Sequence, residues 1–442
     1  MEADPVQYTV RGDNAAAIAR SIERGVTSGA LRPGDTVGSV RGLAEQLGVS
    51  PTTVASAYRD LRQRGVLVAH DRSRTVVGHR PPLAMRLAPD LPAGTLDLTS
   101  GNPDPDLLPA IRPALARVGA DHQLYGDPIT DASLAALARA EFATDGIDAT
   151  HLAVVGGGLD GIERVLEVHC RLGDHVAVED PGYAGSLDLL RALGLHPVPM
   201  EVDDEGVRPD ALRSALDRGV EAVLLVPRAQ NPTGAAIGAD RAAELRALLD
   251  AAPQTLVIED DHAHQVAGAP YHGVATGRER WAVVRSVAKS LGPGLRVAVL
   301  VGDDDTVTRV LGRQRLGTGW VSHLLQGIAA HVWSDATSDG TTARATAAYT
   351  ARRDALLAAL RDQGIDAMGR SGLNVWIPCL EEVPVVQGLA ARGWAVQAGE
   401  PYRIHAPPAI RVTIAALPLP SIDALVVDLV DVLEHRLGTR RG

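Results

Sequence analysis

Hydrophobic and polar positions follow a helical period through the first 80 residues of this chain. In the segment AAAIARSIERGV, Ile18, Ile22 and Val26 recur four residues apart and fall on one face of a helix. Gly29 follows this run, just before the turn segment LRPGD. The pattern therefore predicts a first amphipathic helix that ends near Gly29.

Two further helices and a ribbon are predicted between residues 39 and 77. Ser39 is placed to cap a helix that stops at Gly48, and the next helix begins after Ser50 with Pro51 in its first position and ends at Gly65. The segment VLVAHDRSRTVV then indicates two strands around a polar wing. Two short helices joined by a tight turn, followed by such a ribbon, predict a winged helix-turn-helix.

A different pattern begins at Leu96, where short runs of Val and Leu alternate with amphipathic helical segments. The runs are LAVVGGG, HVAVED, AVLLVP, TLVIEDD, AVVRSV and RVAVLVG. This alternation predicts an α/β domain with a mostly parallel sheet and helices on both faces. Ligands of such sheets collect at the carboxyl ends of the strands.

These patterns divide the chain into domains. Residues 10–80 form the predicted DNA-binding domain, and the proline-containing segment 81–95 is expected to be a linker. Residues 96–442 form the α/β domain, with a large part at about 120–335 and a small C-terminal α+β part at about 340–442.

Charge is distributed unevenly between these parts. The chain has 442 residues and a net charge of -11, yet residues 1–80 contain 11 Arg against 8 Asp and Glu, a net of +3. Residues 81–442 therefore carry -11 - 3 = -14. Only the N-terminal region has the charge sign that suits a phosphate backbone.

Composition indicates a cytoplasmic protein. Hydrophobic residues make up 45% and charged residues 22% of the chain, which is ordinary for a globular protein. The two cysteines, Cys170 and Cys379, form no disulfide framework. No signal peptide, membrane-spanning run or metal-binding motif is expected.

Lys289 is the only lysine among the 43 Lys and Arg residues. Coding bias toward arginine can leave one lysine by accident. However, a lysine amine can lose its proton and form a Schiff base, whereas a guanidinium stays protonated. Lys289 is therefore a candidate for covalent chemistry.

Several other candidate groups lie at predicted strand ends. The turn GGGLDG at Gly156–Gly161 opens a helix whose amides can bind a phosphate, although many glycine-rich turns bind nothing. Asn231 of VPRAQNPTG can donate to a phenolate oxygen, and Asp260 of IEDDH can hold a pyridine nitrogen protonated. Ser286 and Arg296 flank Lys289 and are both able to bind phosphate.

In this order, the segments NPTG, EDD and SVAKSLGPGLR resemble the fold-type I pyridoxal-phosphate enzymes of the aminotransferase class I/II family, over roughly residues 96–440. The resemblance implies that Lys289 forms an internal aldimine with pyridoxal 5'-phosphate.

The same resemblance assigns roles to other residues. It implies that Arg411 of AIRVTIA binds the carboxylate of an amino compound, although an ordinary strand arginine would look the same. Tyr125 of YGDP resembles a tyrosine lent to the neighbouring subunit, which implies a homodimer. The implied cofactor-binding residues are Lys289, Asp260, Asn231, Tyr183, Gly157, Gly158, Ser286, Arg296, Tyr125 and His262.

Four positions depart from this family's pattern. The family usually has Ser or Thr at Gly156, Ser at Ala288, Gly at Thr130 and Tyr near His262. Fewer hydroxyl donors would weaken phosphate binding, and loss of the Tyr would remove a donor that tunes the lysine. His262 either substitutes as a donor or is simply a polar loop residue. The scaffold is therefore expected to be intact and its catalytic tuning relaxed.

Residues 14–80 resemble the winged helix-turn-helix domain of the GntR family in the segments SGALRPGD, SVRGLAEQLGVS and TTVASAYRDLRQRGVL. The resemblance implies that the helix after Ser50 enters the major groove of double-stranded DNA. Pro51 replaces the usual base-reading Arg, and a vestigial or protein-binding module remains an alternative. The implied DNA-contacting residues are Arg41, Ser50, Thr52, Thr53, His70, Arg72 and Arg74.

A GntR-type domain joined to an aminotransferase-like domain is the layout of MocR-type bacterial regulators. Such a protein is expected to sense pyridoxal phosphate or an amino compound through Lys289 and to control DNA binding. The alternative is a working aminotransferase that carries a fused DNA-binding module. Whether the chain is an enzyme stays open at this point, and residual transamination is compatible with the regulator.

Overall fold

We describe the fold from a computed structural model of the chain. It describes residues 8–28, 30–63, 65–70, 74–78, 91–92, 94–119 and 123–438. Contacts divide the chain into two compact units. One comprises Met1–Leu87 with Arg171–His175 and Leu187–Pro197, and the other comprises Ala88–Cys170, Val176–Ser186 and Val198–Gly442. The predicted linker 81–95 lies mostly outside the described residues.

The N-terminal residues form the predicted three helices and two strands. They are α1 (Ala15–Thr27), α2 (Val40–Leu47), α3 (Pro51–Gln63), β1 (Leu67–His70) and β2 (Arg74–Val77). Strands β1 and β2 pair antiparallel. Gly29, the predicted end of the first helix, lies outside the described residues, and α1 is capped by Ser28. The prediction of a winged helix-turn-helix is confirmed.

The predicted capping residues form the helix ends in this unit. Ser39 accepts a hydrogen bond from the backbone N–H of Gly42 at the start of α2, and Gly48 ends it in the left-handed conformation at φ 66°. Ser50 accepts from the backbone N–H of Thr53 at 3.1 Å. The buried Tyr58 ties α3 to the chain before α2, because its hydroxyl donates to the carbonyl of Val37 at 2.7 Å.

Beyond Thr95, strands and helices alternate as predicted. The strands are β3 (Leu96–Asp97), β4 (Leu152–Val155), β5 (His175–Asp180), β6 (His196–Asp203), β7 (Gly206–Val207), β8 (Ala222–Leu225), β9 (Leu256–Asp260), β10 (Trp281–Ser286), β11 (Ala298–Gly302), β12 (Asn374–Pro378), β13 (Trp394–Ala395), β14 (Gln397–Ala398) and β15 (Ala409–Thr413). The helices are α4 (Arg112–Leu115), α5 (Ala132–Thr144), α6 (Gly158–His169), α7 (Ala184–Ala192), α8 (Pro209–Asp217), α9 (Ala239–Asp250), α10 (Asp304–Arg315), α11 (His323–Ser338), α12 (Thr341–Asp362), α13 (Glu382–Ala390) and α14 (Ile422–Gly438).

The main sheet of the described chain has eight strands in the order β4-β11-β10-β9-β8-β5-β6-β7. Strands β5, β8, β9 and β10 are parallel, whereas β11 runs antiparallel to both β10 and β4. The predicted α/β class is confirmed, with a mixed sheet whose centre is parallel. Because parallel strands share one carboxyl edge, the residues that follow β8, β9 and β10 meet there.

A smaller sheet with the order β12-β15-β14 is surrounded by the C-terminal helices. Its core contains Tyr349, Leu356 and Leu360 of α12 with Leu425 and Leu429 of α14. The two-residue strand β3 pairs parallel with β13. The segment after β3 is thereby held against this smaller sheet.

Candidate functional site

Lys289 lies three residues beyond the end of β10 and is partly buried. Its Nζ donates to the backbone carbonyl of Gly101 at 2.7 Å. Burial and the charge of Arg411 together lower the pKa of the amine to about 8, against the opposing effect of Asp260. A substantial fraction of this amine is therefore neutral slightly above neutral pH, as nucleophilic attack requires.

Asp260, the last residue of β9, is a buried carboxyl whose Oδ1 has no hydrogen-bond partner among the described residues. Burial and the charge of Asp261 together raise its pKa to about 7, against the opposing effect of Lys289. A buried polar atom without a partner costs free energy, so it marks a place for a ligand atom. The group that fits Asp260 Oδ1 is a cationic N–H donor.

The neighbouring Asp261 has the opposite environment. Arg228 Nε and Arg285 Nε each donate to it at 2.9 Å. Burial alone would raise the pKa of Asp261, but the charges of these two arginines outweigh burial and lower it to about 2. Asp145 accepts from both arginines as well. The pattern IEDDH did not distinguish these two roles, and this ion-pair group was missed in the sequence.

Asn231 and Arg411 are brought together from segments 180 residues apart. Arg411 Nη1 donates to Asn231 Oδ1 at 3.0 Å, and Nη2 donates to the carbonyl of Thr99. Arg411 is 3% exposed, and burial lowers its pKa. Its Nε is buried without a partner among the described residues. Arg411 is therefore a buried cation with one donor still to be satisfied.

Two tyrosines lie beside Arg411. Its guanidinium carbon is 4.8 Å from the ring centroid of Tyr402, within the range of a cation–π contact. Tyr402 and the predicted stacking residue Tyr183 both oppose the burial effect on the pKa of Arg411, so both are near it. Tyr183 is 36% exposed, which leaves part of its ring open to a ligand. Tyr402 was not predicted as a site residue, because no sequence motif includes it.

The predicted phosphate-binding residues meet at the N-terminus of α6. Gly157 has φ 128°, and a Cβ there would come within 2.9 Å of Arg296 Nη2. A Cβ on Gly158 would lie 3.6 Å from Asp260 Oδ1 and 3.7 Å from Ser286 Cβ. The two glycines thus let the start of the helix lie close to Arg296 and Ser286. Helix N-termini and arginines both favour anions.

One departure from the expected pattern has a structural consequence at this turn. The backbone N–H of Gly156 donates to Asp160 Oδ2 at 2.7 Å, and Asp160 also pairs with Arg164 at 2.8 Å. The amide of Gly156 is therefore already used within the protein. The amides of Gly157 and Gly158 remain predicted contacts for an anion at this turn.

His262 lies near Lys289 and is partly buried. Its Nδ1 is buried without a hydrogen-bond partner among the described residues. Burial, followed by the charge of Lys289, lowers the pKa of His262 to about 4, so the ring is neutral at pH 7. These observations place His262 beside the amine, and its role as a donor stays a prediction.

Tyr125 lies in a separate cleft. It is 93% exposed and makes an edge contact with Trp320 at 5.6 Å between ring centroids. The cleft has a volume of about 650 Å³ and is also lined by Arg315, Asp127 and His323. None of the other predicted cofactor-binding residues lines it.

The predicted DNA-contacting residues are only partly described. Arg41 is exposed on α2, and the hydroxyls of Ser50, Thr52 and Thr53 form a cluster at the start of α3, with Ser50 Oγ 2.7 Å from Thr52 Oγ1. His70 ends β1 and Arg74 begins β2, but their side chains lie outside the described residues. Arg72 lies outside them entirely.

Comparison with known proteins identifies both parts of the chain. The profile of the aminotransferase class I and II family matches residues 93–429. The chain belongs to this aminotransferase family. The profile of the bacterial regulatory proteins of the gntR family matches residues 14–77. An aminotransferase-family domain behind a GntR domain is the layout of the MocR-type regulators.

The relatives of this aminotransferase-family chain include full-length regulators. The vitamin B6 salvage pathway transcriptional repressor PtsJ of Salmonella typhimurium is 37% identical over 95% of this chain and 98% of PtsJ. The transcriptional regulator TauR of Rhodobacter capsulatus is 28% identical over 80% of this chain and 81% of TauR. Among solved structures, the kynurenine aminotransferase of Pyrococcus horikoshii superposes with a TM-score of 0.71 at 21% identity, over 78% of this chain and 92% of that one. The last similarity concerns the fold.

The described residues form neither a membrane span nor a metal cluster. No helix within the described ranges is long and apolar enough to cross a membrane. Likewise, the described part of the chain contains no group of three or more His, Cys, Asp or Glu residues placed to hold a metal ion.

Proposed function

We propose that this chain is a transcriptional regulator whose aminotransferase-like domain binds pyridoxal 5'-phosphate covalently at Lys289 and thereby controls DNA binding by the GntR-type domain. The observation that carries this proposal is one pair of groups. An amine with a pKa of about 8 lies in the electrostatic field of a buried carboxyl that lacks a hydrogen-bond partner among the described residues. The same chain carries a GntR domain.

The residues at the site fit pyridoxal phosphate. When bound, this cofactor supplies an aldehyde that reacts with a primary amine and a ring that accepts electron density. The unpartnered Oδ1 of Asp260 suits the protonated ring nitrogen. The guanidinium of Arg296, which lies close against Gly157 at the N-terminus of α6, suits the phosphate. Each charged part of the cofactor therefore has a complementary group.

The remaining side chains orient the cofactor. Because Asn231 Oδ1 already accepts from Arg411, its Nδ2 is left to donate to the ring oxygen. The partly exposed ring of Tyr183 is available for stacking, and Ser286 and Arg296 assist the phosphate. His262, neutral at pH 7, is available to exchange a hydrogen bond with the amine of Lys289.

Arg411 gives the proposed effector its chemical class. Its guanidinium is buried beside Asn231 and presents an unsatisfied Nε. Buried arginines bind carboxylates with directed hydrogen bonds. The effector is therefore pyridoxal phosphate alone or pyridoxal phosphate together with an amino compound that carries a carboxylate.

Relatives with known names support the regulatory part of this proposal. PtsJ is a repressor of a vitamin B6 salvage pathway, and PdxR of Corynebacterium glutamicum, 28% identical over 55% of each chain, is a pyridoxine biosynthesis regulator. Both names connect a protein of this layout with vitamin B6. We therefore expect the regulated genes of this chain to serve the metabolism of the cofactor or of an amino compound.

The DNA-binding half of the proposal rests on exposed polar groups. Arg41 is the proposed phosphate contact on α2, and the hydroxyls of Ser50, Thr52 and Thr53 lie at the start of the proposed recognition helix α3. His70, Arg72 and Arg74 remain predicted contacts of the wing.

We also propose that the chain acts as a homodimer in the cytoplasm. The cleft of Tyr125 and Trp320 is also lined by Leu124, which is 69% exposed, and Leu316, which is 84% exposed, lies between two lining residues in the sequence. Exposed apolar patches of this kind mark interaction surfaces. Light scattering of the purified protein is expected to give twice the mass of one chain, and a monomer at micromolar concentration would contradict the proposal.

Covalent binding is tested by absorbance and mass spectrometry. Pyridoxal phosphate added to the cofactor-free protein is expected to give a near-visible absorbance band, and borohydride is expected to trap one adduct on Lys289. Lys289→Ala, which removes the only amine side chain, should show neither signal. A wild-type protein that stays colourless and unmodified would overturn this part of the proposal.

DNA binding is tested by gel shift with the chain's own upstream region at several salt concentrations. Arg41→Ala is expected to weaken binding and to reduce its salt dependence, because one phosphate contact is lost. Glu45→Ala, on the same helix, is the matched control that removes a negative charge. If the protein binds no DNA at any salt concentration, the DNA-binding part of the proposal is wrong.

A working aminotransferase is the second candidate, favoured by one observation. Lys289, Asp260, Asn231 and Arg411 are all present at one site, and they are the groups that amine exchange and carboxylate binding require. The regulator is preferred because of the GntR domain and the altered positions 156, 262 and 288. Steady turnover of an amino acid with a keto acid at enzyme-like rates would favour the aminotransferase.

A further inference from the structure

The segment that precedes β15 is held by a single buried carboxylate from the main sheet. Asp180 ends β5 and is 5% exposed. Its Oδ1 accepts from the backbone N–H of Ile404 at 2.8 Å, and its Oδ2 accepts from those of His405 and Ala406 at 2.7 Å and 3.0 Å. Three consecutive amides directed at one carboxylate form a backbone nest for an anion.

The same segment carries the tyrosine that contacts Arg411. Tyr402 lies two residues before Ile404, and its backbone carbonyl accepts from the N–H of Gly182 at 2.7 Å. The centroid of its ring lies 4.8 Å from the guanidinium carbon of Arg411. Asp180 therefore acts on Arg411 through Tyr402 and the backbone around it.

Tyr183 lies three residues after Asp180, in the segment that leaves β5. The backbone of that segment is closely packed, since a Cβ on Gly182 would come within 2.3 Å of the carbonyl oxygen of Glu179. The three hydrogen bonds that Asp180 accepts come from residues 404–406, so its carboxylate acts on the segment of Tyr402 and not on Tyr183.

The opposite end of the segment has a different anchor. Glu382 of α13 accepts from the backbone N–H of Glu400 at 2.8 Å and from Arg403 Nε at 2.9 Å. This anchor lies on the side of the smaller sheet. Without Asp180, the segment would remain attached to the smaller sheet and, through Tyr402, to Gly182, but residues 404–406 would lose their three hydrogen bonds to the end of β5.

We propose that Asp180 is a positioning residue that fixes Arg411 relative to the cofactor ring, and that it thereby sets the affinity for the carboxylate of an amine ligand and not the affinity for the cofactor. The inference rests on the proposed function, because it concerns the amine ligand of that site. The groups that bind the phosphate and the ring nitrogen are on other segments, at Gly157, Gly158, Arg296 and Asp260.

A matched pair of stable conjugates separates these two affinities. N-phosphopyridoxyl-L-alanine and N-phosphopyridoxyl-ethylamine differ only in the carboxylate. Both are titrated calorimetrically into the cofactor-free, full-length protein. The wild-type protein is expected to prefer the alanine conjugate, and Arg411→Lys, a change in the carboxylate-binding residue itself, should reduce that preference.

Asp180→Asn is expected to reduce the preference for the alanine conjugate about tenfold, because an amide oxygen cannot replace a carboxylate that accepts three hydrogen bonds. The Kd of the ethylamine conjugate should stay within about twofold of the wild-type value. Asp335→Asn removes a carboxylate from a surface ion pair with Arg117 and should change neither Kd. An unchanged preference in Asp180→Asn, or equal weakening of both conjugates, would overturn the inference.

A second pair of variants tests the same interaction from the side of the backbone donor, in case Asp180→Asn does not fold. His405→Pro deletes one backbone N–H that Asp180 accepts, and His405→Ala keeps it while changing the same exposed side chain. Loss of the preference in His405→Pro alone supports the inference, and an equal preference in both variants overturns it. A wild-type protein that binds neither conjugate would overturn the proposed cofactor binding, and the inference with it.

Discussion

At the scale of single residues, the protonation of Lys289 is set by opposing neighbours. Burial and the charge of Arg411 lower its pKa to about 8, while the carboxyl of Asp260 acts in the other direction. The same interaction lowers the pKa of Asp260 against the larger effect of burial. The two groups therefore titrate as a coupled pair near neutral pH.

The rate at which pyridoxal phosphate bonds to the protein should follow this titration. The neutral amine is the nucleophile, so the rate is expected to rise with pH and to level off above about 8, well below the usual lysine pKa of 10.5. Stopped-flow absorbance at a series of pH values measures it. A midpoint near 10.5 would contradict the environment described for this amine.

Asp260→Asn separates the two effects of that carboxyl. Its removal takes away the negative charge that raises the amine pKa, so the midpoint of the rate profile is expected to move to lower pH. The equilibrium affinity for the cofactor should fall at least tenfold, because the ring nitrogen loses its counter-charge. Asp335→Asn is the control, and a midpoint that moves to higher pH would contradict the assignment.

The adjacent residues Asp260 and Asp261 show what a motif can and cannot predict. Successive strand residues face opposite sides of a sheet, so only one of the two side chains can enter the site. The position of IEDDH at a strand end predicted that one carboxylate would be available to a ligand. The partners of the other, Arg228 and Arg285, come from different strands and have no signature in that motif.

At the scale of secondary-structure elements, Asp261 joins three adjacent strands. It follows β9, and its partners Arg228 and Arg285 come from the segment after β8 and from β10. Arg285 also lies 4.4 Å from the ring centroid of Phe142 in α5. This group of charges therefore holds together the strand ends that carry Asn231, Asp260 and Lys289.

Asp261→Ala is expected to lower the free energy of unfolding by about 3–5 kcal/mol, because two buried arginines lose their shared partner. Asp335→Ala breaks an exposed ion pair and should cost less than about 1 kcal/mol. Urea unfolding followed by tryptophan fluorescence compares the two variants. Similar losses in both would show that the buried group does not stabilise the strand ends.

The caps of α2 allow a prediction for the DNA-binding unit. Ser39→Ala removes the acceptor for the N–H of Gly42 and should destabilise α2 by about 1 kcal/mol. Hydrogen exchange of the Leu43 amide, which donates to the carbonyl of Ser39, is expected to accelerate about fivefold. Ser39→Thr keeps a capping oxygen and serves as control, and equal exchange rates in both variants would contradict the capping role.

At the scale of the whole molecule, the sequence indicates side chains better than it indicates backbone partners. The alternation of apolar runs with helical segments was sufficient to predict the sheet, and the segments NPTG, EDD and SVAKSLGPGLR indicated the groups at its carboxyl edge. The carbonyls of Gly101 and Thr99 lie 188 and 312 residues from Lys289 and Arg411, which donate to them. A backbone acceptor places no requirement on residue type, so these contacts and the role of Asp180 could not be predicted from the sequence.

The proposed control of DNA binding by the cofactor has a consequence for the whole molecule. If pyridoxal phosphate changes the affinity for the operator by some factor, the operator must change the affinity for pyridoxal phosphate by the same factor. An absorbance titration of the cofactor, with and without saturating upstream DNA, measures the second factor, and the gel shift measures the first. Factors of about 5–150 are typical of such coupling.

Lys289→Ala is the control for this measurement. It should show a factor near one in the gel shift, because its operator affinity no longer responds to the cofactor. If the cofactor affinity of the wild-type protein is the same with and without DNA, the two domains do not communicate at equilibrium, and an aminotransferase with a fused DNA-binding module becomes the better description.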